Sequence, residues 1–337
     1  MTRLPRNQIL HGDATAVMQT LPSGSVDQIV TSPPYFRLRD YQVSGQLGLE
    51  PTVDDWVSNL LPVATQAARV LTPTGTLWLN LGDSFSTHTR EGAERKSLLL
   101  APERVALALV EQGWILRNKI VWAKTNTTPT SVRDRLATKY EVIYLFAREP
   151  RYYFDLDQIR QPHTSRPPKR RDAPRPKRAR PRWLGPNSDG DGGLAALHAA
   201  GLRGHPLGKN PGDVWSIGVS SYRGAHFATY PPALVQRMLL AGCPERRCQR
   251  CRAPWIARVI RNGAQAERAP PGPSCDCNAP PEPGLVLDPF MGAGTTALVA
   301  RELGRDYFGI ELNPDFVALA TKRLEGDNNN HERKEVT

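Results

Sequence analysis

Ser32-Pro33-Pro34-Tyr35 stands directly after the short apolar run Val26 to Thr31. Two successive prolines hold the backbone extended and remove amide donors, so the segment accepts hydrogen bonds and scarcely donates them. An exocyclic amino group is a target that needs only acceptors. The Ser32 oxygen and the Pro33 carbonyl, taking its two N–H bonds, would favour a pyramidal nitrogen with an available lone pair, and positioned groups of this kind lower a barrier. Tyr35 adds an aromatic face on which an extruded base can stack, worth roughly 1–3 kcal/mol. Taken alone, the tetrapeptide reads as a structural turn; a second segment changes that reading.

The second segment is GLVLDPFMGAGTTALVARELGRDYFGIELN. It places an apolar strand before a turn with Gly292 and Gly294, then a helix, then a strand ending in Glu311. Glycine there permits positive φ and lets a ligand approach backbone amides. Glu311 follows Asp288 by 23 positions (311 − 288), near the roughly 20-residue offset at which an acid reaches ribose hydroxyls. The third glycine of GxGxxG and the lysine of a phosphate loop are both missing, so pyrophosphate and triphosphate are poorly served. Asp288, at the strand's C-terminal end, can attract an ammonium group. A cofactor with adenosine at one end and an amino acid at the other suits both acids; a plain strand–helix turn is the alternative.

All five cysteines fall between 243 and 277: Cys248-x2-Cys251, 23 intervening residues, then Cys275-x-Cys277, with Cys243 upstream. Two close thiol pairs suit a closed tetrahedral zinc site with a structural role, the alternative being unliganded buried thiols. Cys243 is not expected to be a ligand.

These residues need a frame. The chain has 337 residues, 39% hydrophobic and 23% charged, enough for a sizeable core, and no run of about 18 apolar residues to span a membrane. MTRLPRNQIL carries no secretory apolar stretch, and five cysteines make no disulfide framework, so the expected setting is the reducing cytoplasm. The periodicity predicts strands at 26–31, 76–81, 141–146, 285–287 and 307–311, and helices at 56–71, 101–112, 231–241, 295–303 and from Pro314. That alternation is the rhythm of a doubly wound α/β sheet. The tail after Leu324 is expected to be disordered.

Charge is concentrated rather than spread. Arg160 to Arg182 holds ten Lys/Arg, one acid and six prolines, which is +9 of a formal +11. Such a run forms neither helix nor central strand and suits a polyanion, or serves as a solvated insertion. Trp183 and Trp215 flank this region and either touch DNA or anchor a loop. Trp78, Trp114 and Trp122 read as core, and Asp83 as a helix cap or a residue facing the base.

The two segments together resemble the amino-group DNA methyltransferases that use S-adenosylmethionine: TSPPY resembles their catalytic motif and DPFMGAGTT their cofactor motif. The order, catalytic motif first and cofactor motif last, resembles the circularly permuted beta class. GDA at 12–14, GTLWLNLGDS, NKIVWAKTN, KYEVIYLFAR and HFATYPPALVQRMLLAGCPE resemble further motifs, so nearly the whole chain is covered. The resemblance implies a Rossmann-like sheet with a catalytic half at 1–150, a basic target-recognition insertion at 151–225, and a cofactor half at 226–324. The last would carry the Cys-rich zinc knuckle at 243–278, and residues 325–337 a disordered tail. It implies that Asp288, Pro289, Phe290, Gly292, Gly294 and Thr296 line the cofactor pocket. Glu311 would hold the ribose and Asp13 contact the adenine, while His226, with Ala228 and Pro231, would close over the methionine end. Ser32, Pro33, Pro34 and Tyr35 would hold a base flipped from double-stranded DNA, with the loop Phe36 to Tyr41 beside it.

In this family serine at position 32 usually accompanies cytosine N4 and an acid adenine N6, which makes cytosine the expected target and adenine the alternative. A non-catalytic zinc-containing DNA-binding protein is the reading from another class. A cognate restriction endonuclease, a bacterial or phage source and a monomer or homodimer are further implications.

Overall fold

The strand Val26–Thr31 is buried at every position although it contains Asp27 and Gln28. A strand covered on both faces belongs in the middle of a parallel sheet with helices on either side. The computed structural model describes residues 6–127, 129–163, 205–219, 230–262 and 265–335. In chain order its strands are β1 (Gln8–His11), β2 (Val26–Thr31), β3 (Leu71–Leu81), β4 (Ile115–Lys124), β5 (Tyr140–Ala147) and β6 (Val214–Ile217). Then follow β7 (Arg246–Cys248), β8 (Val259–Asn262), β9 (Gln265–Arg268), β10 (Pro281–Pro283), β11 (Leu285–Asp288) and β12 (Asp306–Glu311). The helices are α1 (Ala14–Thr20), α2 (Val53–Val70), α3 (Ala101–Glu111), α4 (Pro232–Gly242), α5 (Thr295–Glu302) and α6 (Pro314–Glu335).

Eight strands form one sheet in the order β1-β12-β11-β2-β3-β5-β4-β6. Within it β5 runs antiparallel to both its neighbours, and the other adjacent pairs are parallel. From β2 the chain crosses through α2 to β3 on one side; from β11 it crosses through α5 to β12 on the other. The reversal falls between β11 and β2, the switch point outside whose carboxyl ends ligands bind in open α/β sheets.

The core divides accordingly. Trp56, Leu60, Ala64 and Ala67 of α2 recur at helical spacing and pack one face with Val105 and Leu109 of α3. Leu234, Val235, Met238 and Leu239 of α4 pack the other face with Ala297 and Ala300 of α5.

The structure goes beyond the sequence expectations in several places, with β1, α1 and β4 added and β3 beginning at Leu71. Helix α2 starts three residues early, because Thr52 and Asp55 form a capping box that satisfies the first amides. After Leu324 helix α6 continues to Glu335, an extension that avoids the cost of a new nucleus. Within the expected insertion, β6 pairs with β4 and extends the sheet. Trp215 on β6 is 2% exposed and stacks 6.2 Å from Trp78, so it is a core residue and no DNA contact. Trp78, Trp114 and Trp122 are core as expected. Trp183 and most of the basic run lie outside the described residues. Among the described residues no helix is long and apolar enough to cross a membrane.

Candidate active site

A cavity of about 1000 Å³, counting its open mouth, lies at the switch point. Ser32 and Pro34 line it from the end of β2, Pro289, Phe290 and Gly292 from the turn after β11, and Glu311 from the end of β12. Asp13, Tyr230 and Phe316 complete its walls together with residues 41–47. Segments distant in sequence therefore share one volume.

The turn is built around Asp288, which is 1% exposed. Its Oδ1 accepts from Thr31 Oγ1 at 2.7 Å and from the Phe290 amide at 3.1 Å. Its Oδ2 accepts from Tyr230 at 2.8 Å and Thr296 Oγ1 at 2.6 Å. A carboxylate has about four lone-pair sites, and all are used by neutral donors. The expectation that Asp288 meets an ammonium group directly is corrected on that ground: it ties β2, the turn, α5 and Tyr230 together. Burial raises its pKa, which those donors lower only in part. Gly294 caps α5 with φ 77°, a left-handed conformation that glycine adopts without strain. Thr296 and Gly294 do not line the cavity; they shape its floor.

Glu311 differs. Its Oε2 accepts from the Gly292 amide at 2.7 Å and its Oε1 from the Asn313 amide at 2.9 Å. About half its acceptor capacity is open to a ligand, and burial raises its pKa as well. Asp13 caps α1, Oδ1 accepting from the Ala16 amide at 2.8 Å. His226 and Ala228 lie outside the described residues.

On the other side of β2 a second network forms. The β2–β3 register sets Thr31 opposite Leu79, so Ser32 falls beside Asn80. Across β5, Glu141 pairs with Trp122 of β4, two positions before Lys124. Ser32 Oγ lies 2.9 Å from the Tyr35 hydroxyl, which donates to Glu141 Oε2 at 2.8 Å. Asn80 Nδ2 donates to both Tyr35 and Glu141 at 2.7 Å, and Lys124 Nζ pairs with Glu141 Oε1. Burial and the Glu141 charge push the Tyr35 pKa well up, so its hydroxyl keeps its proton. A Cβ at residue 82 would sit 2.7 Å from Tyr35 Cε2, so Gly82 is what lets the ring lie there.

Tyr35 is not among the residues that line the cavity; its hydroxyl is turned to Ser32, Asn80 and Glu141. Pro33 is buried, and the Pro34 carbonyl is taken by Trp56 Nε1 at 3.0 Å. The next loop is fixed by Arg37, whose amide donates to the Gly48 carbonyl at 2.7 Å and whose guanidinium meets Glu91 at 2.7 Å. The wall at 41–47 reaches the opposite side through Tyr41, edge-on to Phe316 at 6.1 Å, and through Asn313 Nδ2 to the Tyr41 carbonyl at 3.4 Å. Asp83 is a helix cap: it accepts from the Leu100 and Ala101 amides at 3.1 Å.

The cysteine cluster occupies the opposite end of the sheet. Cys248, Cys251, Cys275 and Cys277 bring all four sulfurs within 4.8 Å of one another. Tetrahedral zinc with bonds of about 2.3 Å separates its sulfurs by about 3.8 Å, so the donor set fits. Cys243 is buried apart from the cluster. Next to Cys248, Arg247 is 1% exposed and pairs with Asp27 Oδ2 at 2.9 Å and Glu282 Oε1 at 2.8 Å. Arg6 continues the chain of charges from Glu282 to Asp306, 2.5 Å from each.

Sequence reasoning missed Asn80, Lys124, Glu141 and Tyr230. Asn80 was visible as the polar residue inside LWLNL, and Lys124 and Glu141 as charges bordering apolar runs. Their convergence is a product of strand register and leaves no local mark.

The N6_N4_Mtase family, described as DNA methylase, matches residues 26–322. The type II methyltransferase M.XycI of Xanthomonas campestris pv. cyanopsidis is 34% identical over 96% of this chain and 89% of its own length. Among solved structures, the cytosine-N4-specific PvuII DNA methyltransferase aligns with TM-score 0.58 and 16% identity over 94% of this chain and 86% of that one. A Thermus thermophilus protein complexed with S-adenosyl-L-methionine aligns with TM-score 0.53 and 20% identity over 94% of both chains.

Proposed function

This chain belongs to the DNA methylase family, and from that premise we propose that it methylates the exocyclic N4 of cytosine in double-stranded DNA, with S-adenosylmethionine as donor. The observation that carries this reading is the position of Ser32: a neutral acceptor in the cavity wall at the end of β2, beside the Asp288 turn. The PvuII enzyme, which has a similar fold, is cytosine-N4-specific, and this supports the choice of base.

The cavity suits S-adenosylmethionine. Glu311 keeps open acceptors for ribose hydroxyls, Asp13 stands at the rim for the adenine, and Pro289, Phe290 and Gly292 line a channel of the right size for a small ligand. Asp288, Gly294 and Thr296 hold that channel in shape, and His226 belongs to the segment we assign to the methionine end. When bound, S-adenosylmethionine supplies an electrophilic methyl group on a sulfonium. The target base must leave the duplex, because its amino group is inaccessible in the stack. Ser32 Oγ accepts one amino hydrogen and the Pro33 carbonyl is assigned the other, which localises the nitrogen lone pair for direct attack; the N–C bond would form as the methyl–sulfur bond breaks, sulfur leaving as a neutral thioether and the methylated nitrogen losing one proton to water. No cysteine lies in the Ser32 wall, so attack through a covalent cysteine adduct is not part of the reading.

The catalytic segment precedes the cofactor segment in the chain, which we take as a circular permutation of the methyltransferase order. The basic segment at 151–225 is assigned to target recognition, where Arg and Lys grip phosphates and read guanine edges. Zinc is assigned to Cys248, Cys251, Cys275 and Cys277 in a structural role. As M.XycI is a type II methyltransferase, a partner endonuclease with the same target is part of the proposal.

The test is expression in a methylation-free host, followed by sequencing that separates N4-methylcytosine from N6-methyladenine. N4-methylcytosine in one recurrent context is expected; N6-methyladenine overturns the base, and unmodified DNA overturns the activity. Metal analysis should return one zinc per chain, and a strong chelator should lower the melting temperature. Zinc-free protein of unchanged stability removes the metal.

A further inference from the structure

Ser32 Oγ carries a proton, and a hydroxyl that donates into the pocket would suit a carbonyl as well as an acceptor suits an amino group. Something must decide which way it points. We propose that Glu141, acting through Tyr35, fixes the direction of the hydrogen bonds in this wall, so that Ser32 presents a lone pair to the cavity and the site takes bases bearing an amino group. The inference deepens the methyltransferase reading and rests on it.

Direction follows from counting protons. Glu141, ionised against Lys124, has none to give, so both its oxygens accept. The single Tyr35 proton goes to Glu141 Oε2. The Tyr35 oxygen then only accepts: one lone pair faces Asn80 Nδ2 at 2.7 Å, and the other faces Ser32 Oγ at 2.9 Å. Ser32 must therefore donate to Tyr35; Asn80 Nδ2 lies 3.5 Å from one side of its oxygen, and the remaining lone pair is what is left for the cavity. Asn80 agrees with this polarity: turning its amide round would set a carbonyl against the carboxylate. The amide oxygen is instead buried without a hydrogen-bond partner. Leaving that oxygen unsatisfied is costly, and the arrangement stands because both Tyr35 and Glu141 require a donor. Glu141 touches no substrate; it is a positioning residue for Ser32.

Glu141→Gln should break the rule, because a glutamine amide can donate to Tyr35, turn the Tyr35 proton toward Ser32, and make Ser32 donate into the pocket. The readout is binding, in the presence of S-adenosylhomocysteine, of duplexes carrying the methylated site identified by sequencing, with the target cytosine intact or replaced by uracil. The quantity compared is the ratio of the two dissociation constants, so easier flipping of the mismatched uracil cancels between proteins. Glu141→Gln should shift that ratio toward uracil by at least ten-fold. Tyr35→Phe, which leaves the Glu141–Lys124 pair intact, frees the Ser32 hydroxyl to rotate and should shift it less, in the same direction. It also keeps the test decisive if Glu141→Gln fails to fold. A wild-type ratio in folded Tyr35→Phe, or in folded Glu141→Gln, overturns the proposal. Should the wild type methylate adenine, the choice of base fails while this inference is read with hypoxanthine in place of adenine.

Discussion

The two ends of the β11–β12 pair use charge in opposite ways. At the amino end of β2, β11 and β12, Asp27, Arg247, Glu282, Arg6 and Asp306 alternate in sign and neutralise one another. At the carboxyl end, Asp288 and Glu311 are held by hydroxyls and amides, with no salt-bridge partner among the described residues. Paired charges at one end fasten the cysteine-bearing segment to the sheet. Unpaired carboxylates at the other keep a field and an orientation that a ligand can use. The comparison assigns stability to one end and recognition to the other.

The largest test of that division is Asp27→Ala, which takes from the buried Arg247 one of its two carboxylate partners and from the Leu285 amide its acceptor. It should cost roughly 3–5 kcal/mol of unfolding free energy in urea while the folded fraction methylates at the normal rate. A loss under about 1 kcal/mol would erase the contrast. Ser32→Ala should do the converse: kcat falls about 10²–10³-fold, with stability changed by less than about 0.5 kcal/mol and cofactor binding intact. Full activity in that variant removes the assigned role. Asp288→Ala lies between, since it leaves the Thr31, Thr296 and Tyr230 hydroxyls without their acceptor. About 2–3 kcal/mol of stability and much of the cofactor affinity should go together, as denaturation and calorimetry would show. Asp83→Ala should cost only about 1 kcal/mol, the worth of a helix cap, with kcat unchanged.

The smallest effect concerns acid. Burial raises the Glu91 pKa, but hydrogen bonds from Thr87 and His88 and the Arg37 guanidinium outweigh it and hold the group at about 2. A carboxyl depressed in the folded state adds stability that is complete above its ordinary range and is lost as pH falls from about 4.5 toward 2. Glu91→Gln should lower the neutral plateau of a stability–pH curve and flatten that acid limb, so that the variant and the wild type converge near pH 2.

Much of this architecture was readable in the chain because its signals are contiguous. The Asp288 turn, the strand after it and Glu311 occupy 24 successive residues (288–311), and apolar periodicity placed the strands around them. The wall behind Ser32 was not readable, since Tyr35, Asn80, Lys124 and Glu141 meet only through the registers β2–β3, β3–β5 and β5–β4. Asp288 shows a third situation: its position was legible, but its role depended on Thr31 and Tyr230, which a local motif does not contain. Trp215 stands open in the sequence between DNA contact and loop anchor because its surroundings there are polar; the sheet edge it joins decides for the anchor.

The cavity wall at 41–47 meets the far side at the Tyr41–Phe316 ring contact and at the long hydrogen bond from Asn313, whereas the floor is rooted in the sheet. Parting Tyr41 from Phe316 and Asn313 would widen the mouth of the cavity without disturbing any strand, so access to this volume is set by side chains and a loop rather than by the sheet.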